Sequence, residues 1–321
     1  MNDFRAAWWC RNRHAQTMFG PLFRAWRVPL RRERVDLDDG DFVDLDWIDA
    51  SASPRAPLLL VLHGLEGSSG SHYVGGLLHG ARARGWRGVA LNFRSCGGEI
   101  NRLPRFYHSG DTGDLDAIVR RLIAREAELR IGIVGISIGG NVVLKWLGER
   151  GTGVPSQVIG AATLSVPFDL TACAGVLDRG FAKLVYTANF MRTMRRKVAE
   201  KARTHPGFVD VAAVRRARTF AVYDALVTAP LSGFTDAQDY WRRASSLPYL
   251  AAIARPTLML SAHDDPFIPP ESLPKPQDLS PHLQLVVTPR GGHVGFVEGR
   301  WPWRADSWAE RRALDFLAGL F

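Results

Sequence analysis

The sequence has few cysteines and no long apolar run. Its three cysteines, Cys10, Cys96 and Cys173, lie far apart and form no CxxC pair. We therefore expect neither a disulfide framework nor a zinc site, and a reducing compartment, the cytoplasm by default, fits this pattern. No window of about 20 consecutive apolar residues occurs, so no membrane span is predicted. The N-terminus also lacks the apolar stretch of a secretory signal.

Motifs for nucleic-acid binding are missing too, although the net charge is +9. There is no zinc-finger spacing, no aromatic RNA-binding motif and no basic helix followed by a heptad zipper. The positive charge is mostly arginine and favours anionic partners without specifying one. The histidines other than His63 and His293 share no metal-ligand spacing. We expect no nucleic-acid partner, no metal and no cofactor.

The arrangement of apolar segments predicts the fold class. After an arm rich in Trp and Arg (residues 1–33) and a hairpin around Asp39-Gly40, short apolar strands alternate with amphipathic helices. This alternation predicts an α/β protein with a mostly parallel sheet and helices on both faces, in one domain of residues 1–321. The predicted buried strands are residues 58–64, 86–93, 131–134, 158–166, 256–262 and 283–289.

The alternation stops between about residues 167 and 248. This part of the sequence is helical but irregular, and it is rich in arginine and aromatic residues. We predict a helical cap insertion here, forming an apolar pocket over the site. A basic run inside it is expected to be a solvated helix face, with contact to anionic lipid headgroups as the alternative. The run consists of Arg192, Arg195, Arg196, Lys197, Lys201 and Arg203.

The segment Gly135-Ile136-Ser137-Ile138-Gly139 fits the G-x-S-x-G pattern between a predicted strand and a predicted helix. A serine on such a sharp turn needs neighbours with almost no side chain two residues before and after it. Its hydroxyl would then project at a helix N-terminus, where the dipole favours negative charge. The pattern predicts a nucleophile, and a plain turn with Ser137 as a helix N-cap is the alternative.

A serine nucleophile needs a base, and the base needs an orienting acid. In this fold they follow the serine in the order acid, then base. Asp264 and Asp265 follow one predicted strand and His293 follows the next, where ligands bind in open α/β sheets. We predict a catalytic triad of Ser137, Asp265 and His293. Asp264 is the alternative acid, or a residue that holds the loop together.

Two backbone N–H groups are predicted to form an oxyanion hole, those of Ile138 and of Leu65 in the loop after the first buried strand. His63, just before that loop, is expected to be a core histidine bridging loop carbonyls rather than a catalytic group. A long glycine-rich loop, residues 92–115, is expected at the same sheet edge. It either lines the pocket or caps the helix that starts near Asp111.

Several segments together resemble the YheT-like branch of the α/β-hydrolases, relatives of the ABHD1/ABHD3-type enzymes. They are "RNRHAQTMFGPL", "HGLEGSSGSHY", "NFRSCGGEINRLPRFYHSGDTGDL", "GISIGGNVVLKWLGE", "SAHDDPFIP" and "GGHVGFVEG". The resemblance implies a Ser-Asp-His hydrolase with a helical cap, acting through an acyl-enzyme on short- or medium-chain acyl esters or lipid-like esters. By the family motif the triad maps onto Ser137, Asp265 and His293. "RSCGG" departs from the family's Arg-Gly-Cys-Ser/Gly.

Two other functions stay open at this point. An acyltransferase would use the same triad with an alcohol in place of water. A non-catalytic member of the fold would bind a ligand without converting it, although the complete triad argues against this. The expected partners are a small ester or lipid-like substrate and, peripherally, an anionic membrane surface. The sequence does not indicate an oligomeric state.

Overall fold

The core of the protein is a sheet of eight strands. The computed structural model describes residues 3–26, 28–48, 53 and 55–321. The strands are β1 (Leu30–Asp36), β2 (Phe42–Ile48), β3 (Leu58–Leu62), β4 (Arg87–Asn92), β5 (Ile131–Ile136), β6 (Val158–Leu164), β7 (Thr257–Ala262) and β8 (Leu283–Thr288). Their order across the sheet is β1-β2-β4-β3-β5-β6-β7-β8. β1 and β2 form the predicted antiparallel hairpin, and β3 to β8 run parallel. The predicted α/β fold class is confirmed.

Helices cover both faces of the sheet. They are α2 (His72–Ala83), α3 (Thr112–Arg125), α4 (Ile138–Arg150) and, at the end of the chain, α12 (Trp308–Ala318), and the N-terminal helix α1 (Arg13–Phe23) contacts α2. α2 and α12 share one hydrophobic core with the sheet, and α3 and α4 share the other. The strand β3 consists only of Leu and Val and is buried at every position, as a strand covered on both faces requires.

An inserted set of helices connects β6 to β7. It comprises α5 (Leu170–Leu177), α6 (Gly180–Ala182), α7 (Ala188–Lys201), α8 (Val211–Arg216), α9 (Phe220–Tyr223), α10 (Ala229–Leu231) and α11 (Ala237–Ala244). Two π-helical segments, Lys183–Thr187 and Asp224–Thr228, join α6 to α7 and α9 to α10. This helical insertion packs around a hydrophobic core of its own. It lies in the interval where the sequence pattern is irregular.

The basic run of α7 is only partly a solvated face. Lys201 is fully buried, and its ammonium group donates hydrogen bonds to the backbone and side-chain oxygens of Asn101, at 2.6 and 2.8 Å. The prediction of a solvated side chain is wrong at this position, because Lys201 ties the helical insertion to the glycine-rich loop. Three other side chains of the run are exposed as expected: Arg192, Arg196 and Arg203.

Of the two forms expected for the N-terminal arm, an irregular segment or a short helix, residues 13–23 adopt the helix. Asn12 caps α1 by accepting hydrogen bonds from the N–H groups of His14 and Ala15. Beyond α1, two short strands, β9 (Val297–Glu298) and β10 (Asp306–Ser307), pair with each other near the end of the chain. The three cysteines are buried as free thiols. No helix in the described ranges is long and apolar enough to cross a membrane.

Candidate active site

Ser137 lies between the end of β5 and the first residue of α4, in a strained backbone conformation. Its φ is +53° and its ψ is −122°, a backbone conformation that residues other than glycine rarely adopt. The side chain makes no capping hydrogen bond to α4. Ser137 therefore occupies the N-cap position of α4 without capping the helix through its side chain. The strain holds its hydroxyl at the carboxyl edge of the sheet, on the wall of a cavity.

The glycines around Ser137 allow this turn because their backbones pack against other backbones. A Cβ atom on Gly135 would lie 2.6 Å from the carbonyl oxygen of Gly139. One on Gly139 would lie 2.5 Å from the carbonyl oxygen of His63. Both distances are far below van der Waals contact, so neither position accepts a side chain without a shift of the main chain. The sequence requirement for small residues thus has a direct steric cause.

The structure brings the three predicted triad residues into one chain of hydrogen bonds. The Ser137 hydroxyl oxygen lies 3.0 Å from Nε2 of His293. Nδ1 of the same ring lies 2.9 Å from Oδ2 of Asp265. The Asp265 carboxylate is buried and also accepts the backbone N–H of Phe267 at 2.8 Å. The Phe267 ring stacks on the imidazole with centroids 4.1 Å apart, which fixes the plane of the ring.

The neighbouring Asp264 contacts a different part of the same loop. Its carboxylate accepts the backbone N–H of Gly292 at 2.9 Å, and burial raises the pKa of this carboxyl. Gly292 has a φ of +57°, in the left-handed region that favours glycine. Asp264 therefore holds the turn that precedes His293, whereas Asp265 orients the imidazole itself.

Helix α1 supports the His293 loop, which the sequence analysis did not predict. The Thr17 hydroxyl accepts the backbone N–H of His293 at 2.9 Å. The buried Gln16 side chain accepts the N–H of Val297 and donates to its carbonyl group. These contacts join positions more than 270 residues apart, so no local pattern shows them. The signal in the sequence is the segment "RNRHAQTMFGPL". It resembles the family, but the sequence alone assigns no role to it.

The two predicted oxyanion donors both border the cavity at Ser137. In the described part of the chain, neither the N–H of Leu65 nor that of Ile138 donates to a protein acceptor. The N–H groups on either side of Leu65 are occupied, that of Gly64 by the Tyr73 hydroxyl and that of Glu66 by the Tyr107 hydroxyl. The Leu65 N–H is thus available to a ligand, whereas the N–H groups next to it are held by tyrosine hydroxyls.

His63 is a buried structural histidine that shapes this loop. Its Nε2 accepts the N–H of Phe93 at 3.1 Å, and Nδ1 donates to the carbonyl oxygen of Gly64 at 2.7 Å. Burial lowers the pKa of His63 to about 4, which keeps the ring neutral at physiological pH. The ring bridges one carbonyl and one amide, rather than two carbonyls, and leaves no nitrogen for catalysis.

A cavity of about 940 Å³ extends from Ser137 between the sheet edge and the helical insertion. The glycine-rich loop contributes to its wall, as one of the two expectations has it; the loop also leads into α3 at Asp111, but the Asp111 side chain makes no capping hydrogen bond. Most of the wall is apolar or aromatic. Representative side chains are Met18 and Leu22 of α1, Phe106 and Tyr107 of the glycine-rich loop, and Phe190, Phe220 and Trp241 of the helical insertion.

The sequence matches the α/β hydrolase fold family over residues 57–300. The chain belongs to this family. It is 39% identical to YheT of Escherichia coli, which carries the name of an esterase, over 95% of this chain and 90% of that protein. It is 31% identical to mouse phospholipase ABHD3, over 92% of this chain and 73% of that protein. The chain is therefore a member of the YheT/ABHD3-like branch.

A solved structure supports the same fold. The Pyrococcus furiosus esterase Pf2001 superimposes with a TM-score of 0.59 and 20% sequence identity, covering 91% of this chain and 92% of that one. At this identity the likeness shows the fold alone. Together with the esterase and phospholipase relatives, the family assignment identifies the protein as a carboxylic ester hydrolase.

Proposed function

We propose that the protein cleaves short- or medium-chain acyl esters or lipid-like esters through Ser137, Asp265 and His293. The observation that supports this is the continuous chain of hydrogen bonds from the Asp265 carboxylate through His293 to the Ser137 hydroxyl, at 2.9 and 3.0 Å. This chain ends at the wall of a largely apolar cavity. Such an arrangement suits acyl transfer from an ester with a hydrophobic acyl group.

In the proposed reaction, Nε2 of His293 takes the proton of Ser137 as the serine oxygen attacks the ester carbonyl carbon. Asp265 stabilises the imidazolium that forms. The N–H groups of Leu65 and Ile138 bind the oxyanion, and each such donor contributes about 3–4 kcal/mol in the transition state. The tetrahedral intermediate collapses, and His293 returns the proton to the leaving alkoxide. Water, activated by the same imidazole, then releases the acid from the acyl-enzyme.

The experiment that tests this is labelling of the purified protein with a fluorophosphonate, with the adduct located by mass spectrometry. We expect one adduct per chain on Ser137, and none in the folded Ser137→Ala variant. Hydrolysis of p-nitrophenyl esters of increasing chain length then defines the acyl preference. A folded wild-type protein that takes up no label, or a variant that still does, would contradict the proposal.

We also propose peripheral contact with an anionic membrane surface. The support is a set of exposed apolar side chains near the cavity, since Leu22 is both 62% exposed and part of the cavity wall. Residues 4–32 contain seven arginines and no acidic residue. Within the described ranges, the exposed large apolar side chains are Trp8, Leu22, Phe23, Trp26, Phe181, Leu184, Val222, Trp301 and Trp303.

Contact between the arm and the helical insertion makes part of this surface continuous. The His14 ring packs on the Phe181 ring with centroids 4.5 Å apart. Apolar side chains beside arginines suit a lipid surface with negative headgroups. We expect co-sedimentation with vesicles that contain phosphatidylglycerol and weaker binding by the Phe23→Ser, Leu184→Ser double variant. Equal binding of the two proteins would contradict this surface.

A further inference from the structure

The charged side chains on the cavity wall are not all neutralised. Arg24 forms an ion pair with Glu310, with Nη2 and Oε2 2.8 Å apart. Glu66 forms an ion pair with Lys197 at 2.8 Å. Asp224 is the fourth charged residue of the wall besides the histidines. Among the described residues it has no cationic partner. The cavity thus carries one uncompensated negative charge away from the triad.

Asp224 lies in the π-helical segment of the helical insertion and is 5% exposed. Its Oδ2 accepts the indole N–H of Trp241 at 2.8 Å, and its Oδ1 accepts the Thr228 hydroxyl at 2.6 Å. Each carboxylate oxygen can accept a second hydrogen bond, so Asp224 can also bind a nearby cationic donor. Burial raises the pKa of Asp224 to about 6, so the group is mostly ionised above pH 7.

Burying a carboxylate without a counter-charge is costly, and such groups normally pair with a cation. Four aromatic side chains belong to the same part of the wall as Asp224, together with Val227 and Thr228: Phe220 and Tyr223 on the preceding helix, and Tyr240 and Trp241 on α11. Aromatic faces attract ammonium groups, and a cage of such rings is a recurring site for quaternary ammonium ligands. The carboxylate and the rings therefore favour the same class of ligand.

We propose that Asp224 and these aromatic side chains form a subsite for an ammonium group carried by the ester substrate. This inference rests on the proposed function and names one feature of its substrate class. The subsite belongs to the helical insertion, whereas the reacting groups belong to the sheet edge. An ester with a quaternary or protonated amine is then preferred over a neutral ester of the same shape.

A purely structural role for Asp224 predicts something different. The carboxylate also connects the π-helical segment to α11 through Trp241. If this were its whole role, its removal would disturb the cavity for every substrate alike. A comparison of charged and neutral esters of equal shape separates the two interpretations.

The test uses butyrylcholine and its neutral isostere, 3,3-dimethylbutyl butyrate. We expect the wild-type protein to show at least tenfold higher kcat/KM for the choline ester. In Asp224→Asn the ratio of the two kcat/KM values should fall at least tenfold. The matched control is Asp210→Asn, which removes a carboxylate of the same helical insertion that accepts the backbone N–H of Ala213 and is not part of the cavity wall. Its ratio should stay within threefold of the wild-type value.

Three results would overturn the inference. They are a wild-type ratio near one, an equal loss on both esters in Asp224→Asn, and an equal fall of the ratio in the control. If the wild-type protein hydrolyses neither ester and Ser137 takes up no fluorophosphonate, the proposed function fails instead. Calorimetric titration with butyrylcholine then decides the subsite. Binding that is lost in Asp224→Asn supports it, and absence of binding to the wild-type protein overturns it.

Discussion

The sheet edge and the helical insertion hold their polar groups in different ways. At the sheet edge, main-chain geometry does most of the positioning, since Ser137 has a strained backbone and Gly139 packs against a neighbouring main chain. In the helical insertion, side chains do it, as Lys201 reaches oxygens of a distant loop and Asp224 is held by Trp241. Positioning by the main chain suits the reacting groups, which a whole family shares. Positioning by side chains suits substrate preference, which single substitutions can change.

The largest expected effect concerns the two adjacent aspartates at the sheet edge. Asp265→Asn should lower kcat/KM for a p-nitrophenyl ester by about 10,000-fold, because the imidazole loses the acceptor that sets its tautomer. Asp264→Asn should lower it about tenfold, because Asp264 contacts main-chain amides of the loop, at Gly291 and Gly292, and not the imidazole. Steady-state kinetics on folded variants measure both. Similar losses in the two variants would mean that the carboxyls share the orienting role.

The next effect tests whether main-chain packing holds the nucleophile. In Gly139→Ala the new Cβ meets the carbonyl oxygens of Leu62 and His63 at 2.6 and 2.5 Å. We expect the free energy of unfolding to fall by about 3 kcal/mol, because two main chains must move apart. Fluorophosphonate labelling of Ser137 should also slow. Chemical denaturation and labelling rates measure the two effects, and a variant as stable as the wild type would contradict this account.

The difference between main-chain positioning at the sheet edge and side-chain positioning in the helical insertion also explains which features the sequence predicts. The strands, the elbow at Ser137 and the order of acid and base follow from patterns within about ten residues or from chain order. The support of His293 by Thr17 depends on a contact across 276 residues. The burial of Lys201 depends on oxygens 100 residues away. Local patterns do not encode such contacts, which explains why a basic run in the sequence resembles a solvated face.

The sequence leaves the choice between Asp264 and Asp265 open for a different reason. Both residues follow β7 in the same turn, and the sequence gives them identical chemistry. The direction of each side chain depends on how the turn meets the His293 loop. One carboxylate contacts the ring and the other contacts the Gly292 amide. Only the three-dimensional arrangement separates the two.

A third prediction concerns the cost of the charge in the helical insertion. The pKa of Asp224 in the folded protein, about 6, lies above the value of about 3.9 expected in the unfolded chain. The folded state therefore binds more protons between these pH values, and stability falls as pH rises through this range. Relative to Asp224→Asn, the wild-type protein should lose about 2 kcal/mol between pH 4 and pH 7.

Urea denaturation of both proteins at several pH values measures this difference. Asp178, whose pKa is also raised by burial, is present in both proteins, and only its repulsion with the Asp224 carboxylate differs between them. A difference in stability that does not change with pH would mean that Asp224 is well solvated or already neutralised. That result would weaken the comparison between the two regions, because the helical insertion would then hold no costly charge.

A fourth, smaller effect is expected where the arm meets the sheet edge. Thr17→Val keeps the shape of the side chain but removes the acceptor for the His293 N–H, and an unpaired amide costs about 1–3 kcal/mol. We expect kcat to fall about tenfold with little change in KM, because the base rather than substrate binding is disturbed. Thr17→Ser should restore kcat. If KM rises and kcat is unchanged, Thr17 acts through the cavity wall instead.

The smallest expected effect is the counterpart of Gly139→Ala within the helical insertion. Gly175 lies inside α5, and a Cβ built on it meets nothing within 4 Å. Gly175→Ala should therefore raise the free energy of unfolding by about 0.5–1 kcal/mol, because alanine loses less conformational entropy in a helix. The rate of fluorophosphonate labelling at Ser137 should stay unchanged, because Gly175 is not part of the cavity wall. Destabilisation by Gly175→Ala would show that main-chain packing also limits the helical insertion, and the contrast between the two regions would then hold only for their charged groups.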